Sequence, residues 1–495
     1  MFSRDDCRRN LRWYILFRMS LDFMMWGPTW VLYMRDDLGF SFTEIMLFDF
    51  FFQTAIVLLE VPTGMFADIV GRRWALRAGA FSLFLAMGMW GAGWNAWWWI
   101  SIAWAFWAIA ATLINGADAS LVYETLRADG RGYEFGKVLG RISSLSMLGM
   151  VVASVLGGWM AEYGYRVPIL VHTALLAFTV FAAFRLREPP RAERLVHATV
   201  RNIARSLRAL LKRSHRFRYL LAYSALIQVV EIMAVVYQQP LLASLGFPIK
   251  QLGVFYAGAI LIAAVGPIAM TWASDRFGIA RTLGLGALGT TIACLGLFWL
   301  PGLMIVVPFL VLRFFADGVR PVTIEGMNRL ADPDDRATVL SLRSICISSV
   351  AGPMEVLSGW WADRVPIRRV YLVCGALLPL FSAWLGWAWK RHPEPMPKDV
   401  KVVPPVPRLG ETRRFTRSDG RPPRRFEDKA PYRPTQNPRG RARSPNAPRS
   451  SAPAVFGVRA GGTPAGWPPL LKREHACAIQ SEVRWGFLWI PLARE

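Results

Sequence analysis

Long apolar runs alternate with short polar connections along this chain up to about residue 392. A helix that crosses a bilayer needs about 20 mostly apolar residues. Twelve runs reach that length, near residues 13–34, 44–67, 74–94, 96–119, 140–161, 166–186, 218–243, 250–273, 282–300, 303–325, 338–361 and 369–390. The third and fourth nearly merge around Asn95. The pattern predicts an all-α membrane protein with twelve spanning helices.

A second pattern is laid over the first. Four related stretches stand where apolar runs two, five, eight and eleven end: GMFADIVGRR from Gly64, GWMAEYGYR from Gly158, TWASDRFGIAR from Thr271 and GWWADRVPIRR from Gly359. Each has a small residue, two or three mostly apolar residues, an acid, a tight turn and then arginine. Recurrence at a near-constant spacing marks an internally repeated chain. Each copy ends the second helix of a three-helix unit, so two copies lie at one face of the membrane and two at the other. Alternate units are therefore inverted, an arrangement found in transporters built as two six-helix halves.

Charge gives the expected orientation. The short connections on one side hold most of the lysines and arginines outside the tail. By the positive-inside rule both termini are cytoplasmic, in a cytoplasmic (inner) membrane. The expected organisation is an N-terminal half over 1–187, a basic cytoplasmic linker over 188–217, a C-terminal half over 218–392 and a tail over 393–495. The tail is rich in Pro, Arg, Ser and Gly, cannot bury enough apolar surface to fold alone, and is expected to be disordered. Its apolar end, Trp485–Ile490, is too short to span a membrane.

Composition agrees. Of 495 residues, 54% are hydrophobic and 19% charged, against about 25% charged in soluble domains. The net charge of +24 lies largely in the connections and tail, so it reads as topology rather than nucleic-acid binding. Cys7, Cys294, Cys346, Cys374 and Cys477 are scattered, with no CxxC or His/Cys cluster, which argues against a metal site or disulfide framework. The first apolar run has no clear cleavage site and is expected to be retained. There is no P-loop or nucleotide fingerprint. Neither a cofactor nor a nucleophile-and-base set is expected, so the chain does not read as an enzyme.

These features resemble the major facilitator superfamily over about residues 10–392. After the second run, Gly64, Ala67, Asp68, Gly71, Arg72 and Arg73 match the family's loop signature. Phe66 replaces the usual leucine and Ile69 a frequent arginine. The second-half copy keeps Asp275, Arg276, Gly278 and Arg281, with Thr271 in place of the first glycine. The resemblance implies a gating loop that latches the halves on the cytoplasmic side. On physical grounds Gly71 permits the turn, Gly64 permits close helix contact, and Asp68 can pair with a base or cap a helix. Gly149, Ala153, Ser154, Gly157 and Gly158 in the fifth run look like the family's antiporter signature, but Ala153 and Ser154 replace its central Gly-Pro. Helix packing explains these small residues equally well.

Ionisable residues inside a membrane are costly and usually line a cavity or pair with one another. Asp22 stands mid-run in the first segment and Glu231 in the seventh, the opening helices of the two halves. The resemblance implies that both line a central cavity, shared with Trp26, Trp30, Tyr237, Gln238 and Gln239. Arg313, Asp317 and Arg320 fall on one face of the tenth run, where they form either a neutral structural set or a proton and substrate relay. Glu60 and Glu355 each stand four residues before a motif glycine, which suggests a scaffold role. Asp49, Asp118, Glu124 and Glu325 complete the acids. His172 reads as a packed or pore residue. The expected protein is a monomeric secondary transporter of a small molecule, with protons as coupling ion. Efflux by antiport is favoured; the alternatives are nutrient uptake by symport and a non-transporting sensor or scaffold.

Overall fold

Helices carry almost the whole of the computed structural model, which describes residues 3–190, 214–330 and 336–391. The linker 188–217 is covered only at its ends, and the tail 393–495 lies outside the described residues. In chain order the helices are α1 (Arg4–Asp22), α2 (Trp30–Leu32), α3 (Phe42–Ile69), α4 (Arg72–Ala92), α5 (Trp97–Ile114), α6 (Ala117–Ala128), α7 (Phe135–Met160), α8 (Arg166–Arg185), α9 (His215–Ser244), α10 (Ile249–Phe277), α11 (Ile279–Trp299), α12 (Val306–Leu330), α13 (Arg336–Ala362) and α14 (Ile367–Arg391). Helices fill each of the twelve apolar runs. Ten spans among the described residues are long and apolar enough to cross a membrane.

Two runs are not continuous helices. The first breaks after Asp22, stays irregular over 23–29, and resumes as α2 and a π-helical turn, Tyr33–Asp37. Pro28 accounts for the break: it has no N–H to donate, and its ring clashes with a helical carbonyl. The fourth run breaks at Asn115 and Gly116, where Gly116 takes φ 71°, and continues as α6.

Irregular backbone inside a bilayer survives only if its polar groups find partners. Here they come from the other half of the chain. The Gln239 side chain of α9 accepts from Val31 N at 2.9 Å and donates to Gly27 O at 2.9 Å. Gln239→Leu would strand both backbone groups. It is expected to cost about 2–6 kcal/mol, since each of the two buried unsatisfied groups costs about 1–3 kcal/mol. Thermal unfolding in detergent would show a correspondingly lower midpoint, and an unchanged midpoint would refute the assignment.

Pairing of elements repeats between the halves. α4 packs on α8 as α11 packs on α14, and α3 packs on α5 as α10 packs on α12. Across the halves α3 packs on α13 and α7 on α10. The described residues belong to one compact unit. The motif turns recur as well: Gly71 and Gly164 both take φ 131°, and Gly278 takes φ 85°, values that side chains other than glycine rarely adopt. Gly266 and Gly318, with their neighbouring prolines, leave α10 and α12 unbroken. They instead let those helices touch, for a Cβ on Gly266 would stand 2.3 Å from Phe314 O.

Candidate functional site

At the ends of the helices the motif arginines act on helix termini. Arg166 donates to Gly91 O and, at 2.8 Å, to Ala92 O at the end of α4. Arg368 does the same to Leu300 O just beyond α11, at 2.9 Å. Arg77, one turn beyond the first copy, donates to Phe184 O at the end of α8, at 2.9 Å. Carbonyls left without helical partners are thus satisfied by cations, which also suit the negative end of the helix dipole.

The first copy marks the Asp68 end. Arg72 pairs with Glu124 of α6 at 2.7 Å. Glu188 accepts from the backbone N–H groups of Arg72 and Arg73 at 3.0 and 2.9 Å, so it caps α4. Asp68 is half-buried in the last turn of α3. A Cβ on Gly64 would meet nothing within 4 Å, so in this arrangement Gly64 makes no close helix contact. Asp275, Arg276 and Arg281 are exposed beside Gly278.

The opposite, Asp363 end is closed. Asp363, the acid of the fourth copy, accepts from Phe42 N at 2.8 Å and Thr43 N at 2.9 Å, which caps α3 from the other half. Glu162, the acid of the second copy, lies 3.7 Å from Lys250 at the start of α10. The glycines of these copies are equally engaged. A Cβ on Gly158 would stand 2.6 Å from Gly253 N, and one on Gly359 2.7 Å from Phe42 O. Towards the Asp68 end of α7, by contrast, Gly136 and Gly140 meet nothing within 4 Å. Removing a helix cap costs about 0.5–2 kcal/mol, so Asp363→Ala is expected to shift the balance towards an open Asp363 end by about 2- to 30-fold. Distances between spin labels on the two halves would measure it, and an unchanged distribution would count against the cap.

Three polar clusters lie between the ends. In the first, Arg18 reaches Asp22 at 2.8 Å and Asp118 at 3.2 Å, while the Tyr14 hydroxyl donates to Asp118 at 3.4 Å. Asp22 is the last residue of α1, where the chain unwinds. In the second, Arg313 pairs with Asp317 at 2.8 Å and lies 4.0 Å from Glu231, and Arg320 pairs with Glu231 as well. The two acids and two bases formally cancel, and Glu231, Arg313 and Asp317 are all buried. In the third, Asp49 of α3 and the buried Glu355 of α13 stand on two helices that pack together across the halves.

The aromatic candidates are packed more than lining. Trp26 donates to His172 Nδ1 at 3.0 Å and meets Trp90 and Trp107 edge-on at 5.3 Å. Tyr237 is fully buried, hydrogen-bonded to Ser358 at 2.9 Å. Gln238 is buried and Trp30 half-buried.

Sequence reasoning singled out Glu231, Arg313, Asp317 and Arg320, and the structure brings all four together. It missed Arg18, although the i,i+4 spacing to Asp22 was a usable signal. It also missed the cap made by Asp363 and the Glu162–Lys250 contact, both across the halves, whose acids the motif copies contained.

A model of the Major Facilitator Superfamily matches residues 13–354. An uncharacterized MFS-type transporter, YxaM of Bacillus subtilis (strain 168), is 24% identical over 246 residues, which cover 47% of this chain and 58% of that protein. Among solved structures, the nucleoside transporter NupG superposes with a TM-score of 0.64 at 15% identity, covering 77% of this chain and 99% of that one. A bacterial homologue of the human lysosomal transporter Spinster, in an inward-facing and unoccupied conformation, gives 0.63 at 16% identity, covering 79% and 100%. At such identities the superpositions speak for the fold alone. With helices over each of the twelve apolar runs, inverted motif copies at both ends and a family match over residues 13–354, the chain is a multi-pass membrane protein that belongs to the major facilitator superfamily, a family of transporters.

Proposed function

We propose that the protein moves a small molecule out of the cytoplasm by alternating access, in exchange for protons. The carrying observation is the unequal state of the four motif copies. Those at the Asp363 end hold the halves together through a helix cap, an acid–lysine contact and glycine approaches. The glycines of α3 and α7 nearer the Asp68 end face open space. Rocking that exchanges these roles would expose the centre to one side and then the other.

In this reading the termini lie in the cytoplasm, as the positive-inside rule favours, the membrane is the inner one, and the Asp363 end faces away from the cytoplasm. The halves are 1–187 and 218–392, the basic linker 188–217 and the tail 393–495, in a monomer. Asp68, Gly71, Arg72 and Arg73, with Asp275, Arg276, Gly278 and Arg281, form the cytoplasmic gate. The Asp22 and Glu231 clusters lie where helices one and seven approach the centre, each with acid and base side by side. They offer both a proton acceptor and a charged contact for substrate.

The test is proton movement in energised inside-out vesicles as candidate compounds are added. Particular compounds should collapse the acid interior, and replacing Asp22 or Glu231 by its amide should abolish that response. Uptake that acidifies the cytoplasmic side would instead establish symport. Silence across a broad panel with inserted, folded protein would overturn the reading.

A further inference from the structure

Between the two halves at the Asp363 end lies a cavity of about 380 Å³. Pockets that hold small molecules occupy about 300–1,000 Å³. The first half contributes Arg35, from the π-helical turn, and Phe42, the first residue of α3. The second half contributes Ser244 and Leu245 at the end of α9, Asp363 beyond α13, and Arg368 in the first turn of α14. The wall is therefore complete only while the halves meet at this end.

The charges in this wall are unequally engaged. The Asp363 carboxylate is saturated by the start of α3. One oxygen accepts from Phe42 N, and the other from Thr43 N and the Thr43 hydroxyl. Arg35 is held in another way. Its guanidinium carbon stands 4.1 Å from the centre of the Phe42 ring, within cation–π range. That contact fixes the group in place and uses none of its five N–H donors. Among the described residues the Arg35 side chain makes no ion pair and no hydrogen bond. Asp36 and Asp37, which follow it, are exposed and do not line the cavity.

Arg368 is half-buried and spends one nitrogen, Nη1, on Leu300 O at 2.9 Å and Phe298 O at 3.4 Å. Its Nε and Nη2 have no partner among the described residues. Two guanidiniums with donors left over thus share a cavity with one carboxylate whose acceptors are taken. The unmet demand is for an acceptor with negative charge. Guanidinium donors suit the planar or tetrahedral oxygens of carboxylate and phosphate. Phe42 and Leu245 beside them offer an apolar surface to the rest of the molecule.

We propose that this cavity binds an amphipathic anion, with a phosphate or carboxylate head on Arg35 and Arg368 and a short apolar body, and that its occupant holds the Asp363 end shut. Because Arg35 belongs to one half and Arg368 to the other, the occupant binds the closed orientation better than the open one, and by linkage it favours closure. The holding action rests on the alternating-access reading. Neither the direction of transport nor its coupling ion enters.

The probe is hexyl phosphate, titrated by calorimetry into the protein in phosphatidylcholine nanodiscs, with hexanol as the neutral comparison. Hexyl phosphate should bind saturably and hexanol should not. Arg35→Gln should weaken binding by about 10- to 100-fold, the usual loss when a hydrogen bond to a charged group goes. Arg364→Gln should leave it unchanged, for Arg364 lies outside the lining, over the Trp360 ring. Spin labels at Asn95→Cys and Leu303→Cys, in a background without native cysteines, should show the closed fraction rise as the site fills. Phosphatidylglycerol in the nanodisc separates two sources of the anion. A lipid occupant would by itself raise the closed fraction and compete with hexyl phosphate, whereas a soluble occupant leaves both measurements as they are in phosphatidylcholine; either result agrees with the proposal. No saturable binding, equal binding by the Arg35 variant, or binding that leaves the closed fraction unmoved would overturn it. If hexyl phosphate binds and closes this end while vesicles transport nothing, the transport reading falls and the site stands. If vesicles transport and hexyl phosphate does not bind, the site falls alone.

Discussion

Gly158→Val is expected to force the Asp363 end open and to lower transport by about 100-fold, the equivalent of about 3 kcal/mol. The added Cβ would stand 2.6 Å from Gly253 N and 2.8 Å from Lys250 O. Overpacking costs about 1–3 kcal/mol where side chains can shift. Here the obstacle is backbone, so relief requires α7 and α10 to separate. Because alternating access needs both orientations, a protein that cannot close one end cannot complete its cycle. Distances between spin labels at Asn95→Cys and Leu303→Cys, in the α4–α5 and α11–α12 connections of the two halves, should lengthen, and transport should fall in the same preparation. Gly136→Val on the same helix is the control, because its Cβ meets nothing within 4 Å and should leave the closed end closed. Native distances in the Gly158 variant would show that the contact does not hold the end shut.

Arg320→Leu should destabilise the protein by about 3–5 kcal/mol, the usual result of removing one partner from a buried ion pair. Glu231 would lose its closest base and keep only Arg313 at 4.0 Å. The paired change Glu231→Leu with Arg320→Leu removes both charges and leaves Arg313 with Asp317 at 2.8 Å. Most of the lost stability should then return, because replacing a whole buried pair by apolar residues is often neutral. Transport should not return if Glu231 handles protons or substrate. Thermal unfolding of the single and paired variants checks the first claim, and vesicle transport checks the second. Recovery of both would reduce the cluster to scaffolding, while no recovery of stability would mean that the charges are coupled to more than each other.

The fold was largely legible because membranes impose a simple rule. Each span must be long, apolar and internally hydrogen-bonded, so hydropathy alone locates it. The repeated acid–turn–arginine pattern supplied the inverted symmetry. Where the reading fell short, the missing information was tertiary. The break at Pro28 had a local signal, but its tolerance depends on Gln239, some two hundred residues away and bonded to backbone atoms. Asp49 and Glu355 are about three hundred residues apart in sequence and share a helix pair only because α3 lies against α13. Glu355 was assigned to the scaffold from its motif position, which gives its height in the membrane but not its partner. The motif acids of copies two and four were visible, yet their targets are helix starts in the opposite half, which no spacing reveals.

The hold of Gln239 on Val31 N crosses between the halves, so separating them at the Asp363 end must release this amide. The Val31 N–H then becomes a native clock for the transport cycle: its hydrogen exchange should be slow while the Asp363 end is shut and quicken each time it opens. A spectator amide in an unwound stretch would thereby time the opening without any label.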